Sequence, residues 1–159
     1  MLTHHKAVST TAHFVVAKAE ALPFAAHSFD LLTAAGALNY ADLNRFFPEA
    51  VRVLTTAGVL AIYDFSEGKR LRDDRRLEEW YDAFKQRYPS PPGYALPIRE
   101  LNYGQFGLHL ADYEELEVAV PMTHESYVRY ALSETSVELA LANGTSETEI
   151  RSWCSKTLT

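Results

Sequence analysis

Three side chains stand where they could handle a ligand. Glu20 follows a short apolar run, and Asn39 with Tyr40 lies just past a second one. A carboxylate at Glu20 would accept hydrogen bonds from an amine or hydroxyl of a nucleoside-type ligand, although a solvated loop carboxylate fits the position slightly better. Asn39 and Tyr40 fall where substrate groups would meet a bound cofactor, and local turn chemistry suits them equally. The small residues from Ala34 to Ala37 permit close backbone approach by a ligand, or tight packing of the next helix. Other chemistries lack their residues. No serine sits in a nucleophile-elbow pattern, so a hydrolase is not expected. His4, His5, His13, His27, His109 and His124 do not have metal-ligand spacing, and the neighbouring His4 and His5 point in different directions. There is no phosphate-cradling glycine loop, and no obligatory catalytic side chain is identifiable. Cys154 is the only cysteine, which excludes an internal disulfide and a thiolate metal site and suits a reducing compartment.

The elements that must position these residues follow from hydrophobic periodicity. His13 to Lys18 reads as a short strand buried on both faces, Glu20 to His27 as a loop, and Phe29 to Ala35 as a second strand. Asp42 can cap a helix whose apolar residues Leu43, Phe46, Phe47, Ala50, Val51 and Leu54 recur at helical spacing. Thr55 to Gly58 closes that helix, with Gly58 available for a positive φ, and Val59 to Phe65 is a third strand. In such a strand, helix, strand unit the binding edge is formed by the loops after the strands, here Gly36 to Asp42 and Asp64 to Gly68.

Further along, Lys69 to Tyr88 has helical spacing at Leu77, Trp80, Tyr81, Phe84 and Tyr88. Tyr94 to Gly107 is irregular and aromatic, suited to a cover over a pocket or to an ordinary packed loop. Tyr113 to Met122 alternates and predicts a half-exposed strand ended by Pro121. Thr123 can cap a helix from His124 to about Ser133, and Ser146 with Glu149 forms a capping box for the last helix. Asn143 and Gly144 separate the last two helices. At 159 residues the chain is one domain or a large piece of one.

Composition narrows the partners. Hydrophobic residues at 47% and charged residues at 23% exclude global disorder. A net charge of -6 argues against nucleic acid, and the basic cluster Lys69 to Arg76 contains Asp73 and Asp74 and reads as a solvated helix face. No apolar run reaches membrane-spanning length, and the first residues lack a signal or transit pattern. A soluble, cytoplasmic protein is expected.

Four segments in order carry a family resemblance: AEALPF at 19–24, SFDLLTAAGALNY at 28–40, DLNRFFPEAVRVL at 42–54 and GVLAIYDFS at 58–66. Over these roughly fifty residues the chain resembles S-adenosylmethionine-dependent methyltransferases of the small-molecule branch, near the trans-aconitate methyltransferase-like proteins. YEELEVAVPMTHESYVRYALSETSV at 113–137 is similar to that branch's late strand and substrate-side helix. The resemblance implies an α/β, Rossmann-like fold, S-adenosylmethionine as cofactor and methyl transfer to a small molecule. It would put Glu20 and Ala21 near the adenine with Leu22 as apolar cover, and Ala35, Gly36 and Ala37 along the methionine and sulfonium end. Asn39 and Tyr40 would face the substrate, where the family more often has His-Trp. The family's Trp-Ser pair near Thr135 and Ser136 carries over only at Ser136. The whole of 1–159 would then be a single partial methyltransferase domain with 69–107 as a cover segment.

In the family order the first strand, its glycine-rich loop and the acidic residue of the second strand precede the position matched by Met1. Without them, cofactor binding is expected to be weak or undetectable. The same order leaves a gap of about 14 Å between the strands at 13–18 and 29–35, and a closing strand beside 59–65 would follow the last residue. A truncated gene product or gene model is expected, with a rearranged sheet or completion by another chain as the alternatives, and unpaired edges should favour self-association. A non-catalytic remnant acting as an interaction or regulatory module is the second reading. A nicotinamide dinucleotide-binding half is the third, disfavoured because its glycine fingerprint is equally missing.

Overall fold

The computed structural model describes residues 11–65, 68–71, 74–93 and 96–158. His4 and His5 lie outside the described residues. Two compact units emerge, one of residues 11–64 with 98–111 and one of residues 65–97 with 112–158.

The first unit is built on β1 (Phe29–Ala35), α1 (Leu43–Val53) and β2 (Leu54–Tyr63). Asp42 caps α1, its side chain accepting from the Asn44 amide at 3.1 Å. Phe46, Phe47, Ala50 and Val53 form one buried stripe at three- and four-residue spacing. Against it folds the 3₁₀ turn Tyr103–Phe106, preceded by a second one at Ile98–Glu100; the Tyr103 and Phe106 rings lie 5.5 and 5.0 Å from Phe47. The Tyr103 hydroxyl, buried with the ring, donates to the Ile98 carbonyl at 2.6 Å.

β1 and β2 pair in parallel, with Leu32 opposite Leu60 and Ala34 opposite Ile62 on one face. The other face carries Leu31, Val59 and Tyr63, which are 56, 55 and 60% exposed. β2 begins earlier than the expected Val59, directly at the end of α1. Phe29 pairs with Leu54 but Leu31 with Val59, so the residues between Leu54 and Val59 bulge out of register. Gly58 is needed there for space, not for a positive φ. A Cβ on it would stand 3.0 Å from Leu54 Cδ2 and from the Thr55 carbonyl oxygen.

The expected strand at His13–Lys18 does not form. Among the described residues no strand pairs with it, and Val15 and Val16 stay exposed; the only ladder contact is an isolated bridge from Lys18 to Ala21. A short apolar run makes a strand only when another edge takes its backbone groups.

The second unit is helical: α2 (Arg76–Arg87), α3 (His124–Leu132), α4 (Thr135–Ala142) and α5 (Glu147–Thr157). Its core joins Trp80, Tyr81 and Phe84 of α2 to Tyr127, Val128 and Ala131 of α3, Val137 of α4, and Ile150 and Cys154 of α5. Burial pushes the Cys154 thiol up to about 11, so it stays protonated and serves as core. The Trp80 indole donates to Thr157 Oγ1 at 2.8 Å, tying α2 to the end of α5. Thr123 caps α3 as the spacing predicts, accepting from the Ser126 amide.

Three expectations in this unit are corrected. α2 starts at Arg76 instead of Lys69, so of the described residues of the basic cluster only Arg76 belongs to the helix. There Arg70 pairs with Glu117 and Arg76 with Asp74. Tyr113–Met122 is not a strand: Leu116, Val118 and Val120 are all more than 60% exposed, with no ladder partner among the described residues. Finally, only half of the capping box closes. Ser146 Oγ accepts from the Glu149 amide, while the Glu149 carboxylate turns to Arg87 at 3.2 Å.

Candidate functional site

The C-terminal end of β1 is the point where an open α/β sheet offers room for a ligand. Ala35, Gly36 and Ala37 emerge there, all exposed. Gly36 has φ of 54°, a conformation that disfavours side-chain-bearing residues, and its amide donates to the Tyr63 carbonyl at 2.9 Å. The chain then makes a 3₁₀ turn, Leu38–Tyr40, with Leu38 buried, Asn39 half-buried and the Tyr40 ring 66% exposed. The Tyr40 amide donates to the Ala37 carbonyl, so this pair belongs to a formed turn, with the Tyr40 side chain at the surface.

Glu20 is brought to this turn from the preceding loop. Its Oε1 accepts the backbone amide of Asp42, the capping residue of α1, at 2.8 Å. That hydrogen bond lowers the Glu20 carboxyl below its ordinary range. Glu20 is therefore an ionised carboxylate whose Oε1 is committed to a helix start. Ala21 is exposed and its amide donates to the Lys18 carbonyl, while Leu22 is half-buried.

A clamp that sequence patterning missed holds this loop. On α1, Arg52 donates from Nε to Glu49 Oε2 and from Nη2 to Glu49 Oε1, both at 2.7 Å. The remaining groups grip the loop: the Leu22 amide donates to Glu49 Oε1 at 2.6 Å, and Arg52 donates to the carbonyls of Leu22 and Phe24 at 3.0 and 2.8 Å. The Arg52 guanidinium holds the Glu49 carboxyl down to about 2. Beyond the clamp, the His27 and Ser28 amides donate to the Arg52 and Val53 carbonyls, and His27 Nδ1–H to the Leu54 carbonyl. Glu49 and Arg52 lie three residues apart on the polar side of α1, which reads in sequence as an ordinary surface ion pair. Only the fold shows that both reach residues some 27 to 30 positions away.

Within the first unit, Glu20 and the Leu38–Tyr40 turn meet the start of α1, whereas Leu22 is held at its C-terminal half by Glu49 and Arg52. Ser136 belongs to the second unit, near the N-terminus of α4, and is buried. Among the described residues no group of three or more histidine, cysteine, aspartate or glutamate side chains is arranged to hold a metal, and no helix is long and apolar enough to cross a membrane.

A parallel strand, helix, strand unit of this kind is the building block of α/β, Rossmann-like sheets. Residues 1–62 match the family described as Methyltransferase domain. The chain is similar to the ubiquinone/menaquinone biosynthesis C-methyltransferase UbiE of Allorhizobium ampelinum, with 41% identity over 76 residues, 47% of this chain and 30% of the relative. The corresponding protein of Rickettsia massiliae is 26% identical over 138 residues, 73% of this chain and 54% of the relative. The chain therefore spans between about a third and about half the length of these curated relatives. No solved structure matches.

Proposed function

We propose that this chain carries the cofactor-adenine and acceptor side of an S-adenosylmethionine-dependent methyltransferase acting on a small molecule. The observation that supports the reading most directly is Gly36, at φ of 54° between exposed alanines at the end of β1, where a backbone without side chains lets a ligand approach. The residues present fit such a cofactor. Ala35, Gly36 and Ala37 offer a bare strip for its amino-acid and sulfonium end, and Leu22 offers an apolar contact for the adenine, with Glu20 and Ala21 beside it. Asn39 and Tyr40 would face the acceptor.

The bound cofactor supplies an electrophilic methyl on a sulfonium. The chain's own residues align and shield: the 3₁₀ turn sets Asn39 and Tyr40, and the Glu49–Arg52 clamp fixes the loop that carries Leu22. Alignment of this kind is the main protein contribution to an in-line displacement. The cytoplasm is the proposed compartment, in keeping with one buried cysteine thiol.

A titration of the isotopically labelled chain with S-adenosylhomocysteine, followed by amide NMR shifts, tests this reading and tolerates weak binding. Shift changes are expected at residues 20–22 and 35–40 and should disappear in Gly36→Val, with the rest of the spectrum retained. Shifts that cluster in the helical unit, or none up to millimolar ligand, would overturn it.

A further inference from the structure

In the helical unit a 340 Å³ cleft opens among the end of α2, α4 and the start of α5. That size suits a small organic molecule. One buried hydroxyl and two more accessible polar side chains in its lining have no hydrogen-bond partner among the described residues. Ser136 is 1% exposed and its Oγ makes no hydrogen bond, an arrangement that is unfavourable until a partner completes it. The side chains of Asn143 and Thr145 make no hydrogen bond among the described residues either. Leu139 adds an apolar surface.

Charge defines the other end. Arg87 lines the cleft, its guanidinium over the Tyr88 and Trp153 rings with centroids at 5.6 and 5.8 Å. It donates from Nε to the Tyr88 hydroxyl and from Nη2 to Glu149 Oε1, and Nη1 has no hydrogen-bond partner among the described residues. Among the described residues Glu149 is the sole anion in the lining and Arg87 the sole cation. A purely anionic ligand would have to displace Glu149, and a purely cationic one would meet Arg87. A ligand carrying both charges side by side matches both.

We propose that this cleft binds a small α-amino acid as its zwitterion. Its carboxylate would sit on Arg87, its ammonium on Glu149, and a hydrogen-bonding side chain would reach Ser136, Asn143 and Thr145. The site lies wholly within the second unit and is tested without any methyl donor, so its failure would leave the methyl-transfer reading untouched.

The experiment is calorimetry on the full chain with L-glutamine as probe, beside N-acetyl-L-glutamine, which lacks the ammonium, and the L-glutamine methyl ester, which lacks the carboxylate. Saturable binding of L-glutamine is expected, weakened by about tenfold or more by either block. Ser136→Ala should weaken it several-fold while leaving the melting temperature unchanged or raised, because the hydroxyl gives up no existing bond. A cleft filled only by water would give no saturation with L-glutamine, and that result overturns the proposal. Equal binding of the blocked probes, or a lowered melting temperature in Ser136→Ala, does the same.

Discussion

Replacing Glu49 by glutamine should loosen the loop that carries Glu20, Ala21 and Leu22, and the size of the effect can be worked from the clamp. Glutamine keeps an oxygen for the Leu22 amide but removes the charge from both contacts with Arg52. Lowering a carboxyl from 4.5 to about 2 corresponds to about 3 kcal/mol if fully expressed in folding. The Glu49 side chain is 14% exposed but its Arg52 partner is 38% exposed, so solvent screening reduces this to about 1–2 kcal/mol. The sign is set by the ionised form being favoured in the folded protein. Between pH 4.5 and about 2 the unfolded chain binds the extra proton, so the contribution is complete above pH 4.5 and lost as pH falls through about 2. Urea unfolding of the wild type and Glu49→Gln at steps from pH 7 to pH 2 measures the difference. It should be about 1–2 kcal/mol at pH 7 and shrink towards zero at the acid end. In an Arg52→Ala background the pH dependence of the Glu49→Gln difference should largely vanish. A difference that stays constant across the acid range, or survives unchanged without Arg52, would refute the clamp.

Gly58→Ala should lower the urea midpoint by an amount equivalent to about 1–3 kcal/mol, because the new methyl meets the Leu54 side chain and the Thr55 carbonyl at 3.0 Å. Gly68→Ala, with nothing within 4 Å, is the control expected within about 0.5 kcal/mol of wild type. Leu116→Lys with Val118→Lys should leave the melting temperature almost unchanged and reduce concentration-dependent association in sedimentation velocity, since both side chains are more than 70% exposed. A large loss of stability would mean that these residues are packed after all.

What periodicity encodes is the face an element buries, and where that face meets a neighbour close in sequence the reading was accurate. β1 has the expected bounds and α3 ends within a residue of expectation, whereas α1 stops at Val53 and the Thr55–Gly58 stretch expected to close it lies in β2; Asp42, Thr123 and Ser146 all cap their helices. The readings failed where the deciding partner was remote. Both His13–Lys18 and Tyr113–Met122 have strand composition, yet a strand also needs an edge to receive its amides, and no local pattern supplies one. The Glu149 carboxylate has the right spacing for a capping box, but Arg87, 62 residues earlier, draws it away. The same holds at the candidate site. The small residues around Gly36 were visible as a place for a ligand, whereas the Glu20 bond to the Asp42 amide and the Glu49–Arg52 grip on the loop depend on α1 folding back beside residues 20–24. These contacts bear on function because they decide which groups stay free for a ligand. With Glu20 Oε1 engaged by Asp42, an adenine approaching this loop would be left with Glu20 Oε2 and the side chain of Leu22. A Glu20→Gln variant, which can retain the bond to Asp42, should then preserve α1 stability better than Glu20→Ala, and comparing cofactor shifts in the two separates the capping role of this residue from any direct contact.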